Sequence, residues 1–298
     1  MRRVLWLLQF LVIFCLTLPV AVLPFRMSLK LGECLGDMLF LVWGSRRRIA
    51  IENLRGAVER RALLLSSPPE EIIRGHFRNL GKSFVEVVKI YYGLGRHIIG
   101  DVEIKGIEHF REACEKGAGV LVITGHCGNW ELNALAFSEK ITHFNVVARP
   151  IDNPYLNKVV ERTRRKYGNS VIYKKGALKK VLSVLKKGGV VAILMDQSVV
   201  PAEGVAAEFL GRKDYTMKTP AVIAMKTGAT VLPAFISRAG SGHRIEIGGP
   251  IRIDTGDDSE QAVYRNTVIF SRRVEEYIER NPAEWLWIHR RWKRFPSA

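Results

Sequence analysis

The chain has 298 residues, 47% of them hydrophobic, enough to bury a large core and too apolar for a disordered protein. Its 46 lysines and arginines outweigh 29 acidic residues for a formal charge of +17, which implies an anionic partner, either nucleic acid or a membrane leaflet. Four cysteines (Cys15, Cys34, Cys114, Cys127) include no C-x-x-C, so neither a zinc site nor a disulfide framework is indicated, and a reducing compartment fits.

After Arg2 and Arg3, residues 4–25 (VLWLLQFLVIFCLTLPVAVLPF) carry no charge, and crossing a hydrocarbon core takes about 20 apolar residues. Residues 1–26 are therefore expected to anchor the protein to a membrane. A cleaved signal peptide is the rival, but PVAVLPF lacks a small-residue cleavage site. Pro19 and Pro24 also allow a kinked or re-entrant segment. Basic residues flank the segment on both sides (Arg2 and Arg3, then Arg46 to Arg48), so the charge bias does not orient a span. A segment lying in the interface satisfies both clusters on one side.

Residues 27–298 read as one α/β domain. From Met27 to about residue 95, apolar positions recur every three and four residues, which predicts a helical base. SSPP at 66–69 divides it, with Ser67 expected as a cap, the prolines near the first turn, and Glu70 and Glu71 favouring the helix dipole. From about residue 100, short β-rich runs (VEIKG, GVLVIT, FNVVAR, SVIY, VVAILM, TVLPAFIS, HRIEIGG, PIRI) alternate with helix-like stretches (NWELNALAFSEK, NPYLNKVVERTRRKYG, KGALKKVLSVLKKG, TPAVIAMKTG). That rhythm predicts a mostly parallel sheet flanked by helices. A last helix over 259–281 leads into PAEWLWIHRRWKRFP, read as a docked tail with Trp285 and Trp287 buried and its arginines solvated, or as an aromatic-basic ligand element.

The candidate site is TGHCGNWE (124–131). A buried strand precedes His126, placing it at the C-terminal end of a strand, where open α/β sheets carry ligands. Asn129 is placed to cap the next helix and, on the same loop, to touch substrate. Gly125 and Gly128 permit close backbone approach. Glu131, in the helix's first turn, is expected to bend back and hold one imidazole nitrogen, leaving the other as general base for a substrate hydroxyl. That arrangement suits acyl transfer to an alcohol. The spacing alone is unspecific, and an acid in a first turn is also expected for the dipole. Two further strand ends add Arg149, a candidate anion ligand, and Asp196 with Gln197, candidate substrate ligands. Taken singly, a surface salt bridge for Arg149 and a turn cap for Asp196 are the plainer readings.

The ordered series RRRIAIENLRGA (46–57), HFRNLGKSFVE (76–86), GHCGNWE (125–131), VARPIDNP (147–154), ILMDQS (193–198), FLGRKDYTMKTPAVIAMKTGATVLPAF (209–235) and PAEWLWIHRRWK (282–293) resembles the bacterial lipid A biosynthesis acyltransferases, within the H-x4-D/E glycerolipid acyltransferases. The resemblance implies an O-acyltransferase at the cytoplasmic face of the inner membrane. It implies His126 and Glu131 as a catalytic dyad, Arg149 and Asp196 as site residues, and an acyl chain delivered by acyl carrier protein or coenzyme A. It implies neither metal nor cofactor. The acceptor is implied to be a lipid A precursor, or another glycolipid such as a mannosylated phosphoinositide. The FLG run departs from the Phe-Phe-Gly of many relatives, in a region implied to shape the acyl pocket. Two readings from other classes are a non-catalytic lipid-binding scaffold and a tethered nucleic-acid binder; the latter lacks any recognised nucleic-acid motif.

Overall fold

A computed structural model describes residues 2–173, 176–256 and 258–295. Five helices come first: α1 (Arg2–Val22), α2 (Phe25–Val42), α3 (Gly44–Glu59), α4 (Pro69–Tyr91) and α5 (Arg96–Gly100). The α/β part follows as β1 (Glu103–Lys105), α6 (Ile107–Glu115), β2 (Val120–Thr124), α7 (Trp130–Lys140), β3 (Phe144–Ala148), α8 (Pro154–Lys166), β4 (Asn169–Tyr173), α9 (Ala177–Lys186) and β5 (Val190–Leu194). Then come β6 (Gly204–Phe209), β7 (Arg212–Met217), α10 (Thr219–Thr227), β8 (Thr230–Ala239), β9 (Gly242–Ile247) and α11 (Ser259–Arg280).

Among the described residues, seven strands form one sheet in the order β1-β9-β8-β2-β5-β3-β4. Strands β8, β2, β5, β3 and β4 run parallel, while β9 is antiparallel to β8 and β1 runs with β9. Side chains alternate across the sheet with period two, so each face feeds a separate core. Leu121, Ile123, Val191 and Ile193 face a core shared with α3, α9, α10, α11 and the C-terminal tail. Val120, Val122, Val190 and Ala192 face the other core, with α5, α6 and α7. The mostly parallel sheet between helical layers is the architecture expected from the sequence.

Several local expectations are corrected. PIRI forms no strand; Ile251 makes a single bridge to Val231. Ser67 does not cap α4: the cap position is Pro68, no side chain bonds there, and Pro69 starts the helix with Glu70 and Glu71 in its first turn. An unanticipated hairpin pairs β6 with β7 through Leu210 and Gly211, both at positive φ (49° and 71°), as a tight two-residue turn requires. Phe209, in the FLG run, is buried against Trp285 and Trp292. The helix-like stretch KGALKKVLSVLKKG (175–188) begins at Lys175, which, like Lys174 and Pro296 of the tail, lies outside the described residues.

The helical base is held by a close crossing of α2 and α4. A Cβ on Gly36 would stand 2.4 Å from the Phe77 carbonyl oxygen, and one on Gly81 would stand 1.9 Å from that of Gly32. These contacts are backbone to backbone, so a methyl group can be admitted only by separating the helices. Gly36→Ala and Gly81→Ala are each expected to cost about 1–3 kcal/mol by overpacking. Thermal melts of the detergent-solubilised variants check this, and an unchanged midpoint contradicts the crossing.

Candidate active site

Strands β2 and β5 are neighbours in register, with Thr124 opposite Leu194. Two residues beyond each strand end stand His126 and Asp196, and equal offsets from a shared register bring them side by side. His126 Nδ1 lies 2.8 Å from Asp196 Oδ1. The backbone N–H of His126 donates to Asp196 Oδ2 at 3.0 Å, and Trp285 Nε1 donates to the same oxygen at 2.9 Å. Because an ionised carboxylate only accepts, Nδ1 carries the proton and Nε2 is left with its lone pair. The side-chain amide nitrogen of Gln197 sits 3.2 Å from that Nε2. Trp130 meets the imidazole edge-to-face at a centroid distance of 5.3 Å.

Burial raises the Asp196 carboxyl, but the His126 ring and N–H and the Trp285 indole pull it down to about 2. Burial lowers the His126 imidazole, and the Asp196 carboxylate more than reverses this, so its pKa lies above 6.5. The pair is an anionic acceptor orienting a basic imidazole; the ring remains 22% exposed and the carboxylate 2%.

Glu131 does not reach His126. Helix α7 starts at Trp130, and the Glu131 side chain leaves its first turn toward α4 and α8. Arg164 grips it with two hydrogen bonds, Nε to Oε1 at 2.9 Å and Nη2 to Oε2 at 2.7 Å, and Tyr91 Oη donates to Oε1 at 2.8 Å. The expected contact between Glu131 and the imidazole is therefore replaced by one from Asp196, and Glu131 is held in a separate, mostly buried cluster. The bend in the loop comes from Gly128, at φ +53°, where a Cβ would stand 2.3 Å from the Ile236 carbonyl oxygen. At Gly125 a Cβ would stand 3.2 Å from Asp196 Cγ, so the glycine lets the carboxylate pack against the loop. At both glycines a side chain would collide with protein neighbours, so the loop's path depends on them.

Asn129 caps α7 as anticipated, accepting from Leu132 N–H at 3.1 Å, and its amide donates to Glu86 at 2.9 Å. Both ends are thus committed within the buried scaffold, so Asn129 is not placed to bind substrate. Arg149 is exposed and paired with Asp152 at 2.9 Å, the surface salt bridge weighed above. It follows β3, which β5 separates from β2, so its strand end is about 10 Å from that of His126. Cys127, beside the base, is buried, and burial drives its thiol well above the usual range.

Two contributors escaped the sequence reading. The tail lies across the site loop: Gly128 N–H donates to the Glu284 carbonyl, Leu286 N–H to the His126 carbonyl, and Trp285 fixes Asp196. The tryptophans are buried as a docked tail requires, but Arg291 is not solvated. It is fully buried and bonds Asp214 and Thr216 of β7. Beneath the loop, fully buried Glu86 joins Asn129, Arg238 (2.7 Å) and His243 (3.0 Å).

A parallel sheet that presents an imidazole with its rear nitrogen on a buried carboxylate defines a protein able to activate a hydroxyl by general-base catalysis. The family model described as bacterial lipid A biosynthesis acyltransferase matches residues 2–294, and the chain belongs to that family. It is an acyltransferase. It is 27% identical to a lipid A biosynthesis lauroyltransferase of Escherichia coli K12 over 93% of this chain and 88% of the relative. It is 26% identical to a lipid A biosynthesis palmitoleoyltransferase of the same organism over 92% and 87%. A phosphatidylinositol mannoside acyltransferase of Mycobacterium tuberculosis is 24% identical over 75% and 71%.

Proposed function

We propose that the protein transfers a fatty acyl chain from a thioester to a hydroxyl of an anionic glycolipid, a lipid A precursor, using His126 as general base and Asp196 as its orienting carboxylate. The observation that carries this reading is the bond from His126 Nδ1 to buried Asp196, which aims an unprotonated Nε2 away from the carboxylate. The acceptor hydroxyl takes the place of the Gln197 amide at Nε2 and gives up its proton as its oxygen bonds the thioester carbonyl carbon. The tetrahedral intermediate then collapses, the C–S bond breaks, and the proton on Nε2 passes to the departing thiolate. Gln197, displaced from Nε2, then donates its amide N–H to the thioester oxygen.

The donor is acyl carrier protein, or coenzyme A, and the reaction takes place at the cytoplasmic face of the inner membrane. The charge of +17 and the apolar α1 support that location. The lipid A acceptor is proposed on the likeness to the two Escherichia coli lipid A relatives, which cover 93% and 92% of the chain. Mass spectrometry of membrane glycolipids with and without the gene tests the proposal. Loss of one acyl chain from lipid A is expected; an unchanged glycolipid profile overturns it.

A further inference from the structure

Helix α1 is long and apolar enough to cross a membrane, with little of it buried. Its contacts with the rest of the protein argue against an upright position. Near its start, the Trp6 carbonyl accepts from the Asn153 amide at 2.8 Å, and Phe10 meets Tyr155. Midway, Phe14 stacks on Tyr92 at 4.9 Å, and the Tyr92 hydroxyl donates to the Phe14 carbonyl. At its end, the Lys89 ammonium donates to the Ala21 carbonyl at 2.8 Å. The Thr17 hydroxyl lies 2.9 Å from the same Tyr92 hydroxyl, so Trp6, Phe10, Thr17 and Ala21 form one stripe seated on α4 and the start of α8. At 1.5 Å per residue the stripe measures about 22 Å.

The stripe runs most of the helix's length. Were α1 to stand across a bilayer, Asn153 and its exposed neighbours Arg149 and Asp152 would be carried through the hydrocarbon toward the far face. Exposed charges at such depth are costly and are otherwise paired or solvated. The surface of α1 away from the stripe is apolar, with Leu5, Leu8, Val12 and Leu16 all exposed. Met38, Leu41 and Trp43 extend exposed apolar surface from α2, with Arg46 over the Trp43 ring. Arg2 and Arg3 stand at one end of α1 and Arg26 and Lys30 just beyond the other. A span must place these two basic clusters on opposite sides, whereas a helix in the plane gives both to anionic headgroups of one leaflet.

We infer that α1 does not span the membrane but lies in one leaflet of an anionic bilayer, docked along its length to the catalytic domain. Asn153 follows β3 on the sheet edge that also carries His126, so this placement sets the rim of the active site at the headgroup level. An acyl-chain-bearing acceptor then reaches the site sideways from the leaflet. The inference goes beyond the proposed reaction, and none of its readouts uses turnover.

The test uses the full chain with its exposed cysteines removed (Cys15→Ser, Cys34→Ser, Cys114→Ser) and a single reporter, Arg3→Cys or Arg26→Cys. A membrane-impermeant maleimide is applied to spheroplasts and to inverted vesicles. Both reporters are expected to react in inverted vesicles and neither in spheroplasts. Reaction of the two from opposite sides overturns the inference. A second arm sediments the purified chain with phosphatidylglycerol-containing vesicles and with pure phosphatidylcholine, and binding is expected to favour the former by at least tenfold. A stable dimer that ignores both vesicle types overturns the inference in favour of a second copy covering α1.

Discussion

Asp196→Asn is expected to lower kcat/KM by about 10³- to 10⁴-fold, the scale on which an imidazole loses function when its orienting carboxylate becomes an amide. The geometry says why. If the asparagine oxygen faces Nδ1–H, its NH2 group confronts two donors, the His126 backbone N–H and Trp285 Nε1. If the amide is turned the other way, its NH2 faces Nδ1, and the imidazole must carry its proton on Nε2 and can no longer take one from a hydroxyl. His126→Ala removes the base itself and is expected to cost about 10²- to 10⁴-fold. The pH profile separates orientation from mere damage. In the native protein, the carboxylate holds His126 above 6.5, so activity rises with pH as the ring deprotonates through that raised value. In Asp196→Asn, burial acts without the carboxylate, and the residual activity should rise at lower pH. Glu131→Gln should leave the midpoint where it is, since Glu131 bonds Arg164 and Tyr91. A midpoint moved by Glu131→Gln and unmoved by Asp196→Asn would return the orienting role to Glu131.

Glu86→Ala is expected to destabilise the protein by about 3–5 kcal/mol, the usual cost of removing one partner from a buried ion pair. Burial raises the Glu86 carboxyl, yet His243 and Arg238 hold it at about 2, so it is ionised inside the fold. Alanine strands the Arg238 guanidinium, which is 12% exposed, and frees the amide of Asn129. The loss also reaches the site, because Asn129 caps the helix that follows His126. The melting midpoint in detergent is expected to fall by roughly 6–20 °C, and a fall within experimental scatter would show that the cluster contributes nothing net.

Local pattern was enough to find His126. A run of buried β-branched residues, two glycines and an Asn cap announce a strand, a turn and a helix within ten positions, and those signals are short-range. The partner of His126 depends on strand order, which no local pattern carries: β2 and β5 are 65 or more residues apart and become neighbours only through the sheet. Glu131 was a plausible partner by spacing, but Arg164, 33 residues later on α8, offers it two charge-assisted bonds that an imidazole cannot match. The β6–β7 hairpin went unread because GVAAEF and RKDYTM lack a clean apolar alternation, and Leu210 at positive φ is not a turn signal. The tail's tryptophans were seen, but that one of them fixes a carboxylate at the site could be known only from the fold.

In the proposed reaction His126 is the base in transfer of an acyl chain to a glycolipid hydroxyl. The most direct measurement is single-turnover release of free thiol from an acyl-thioester donor by the purified full-length protein, with and without a lipid A precursor, for the native chain and His126→Ala. Release that requires the acceptor and falls to background in His126→Ala, while the variant keeps its native melting behaviour, is the predicted result. Acceptor-dependent release at the native rate in a folded His126→Ala protein would contradict it.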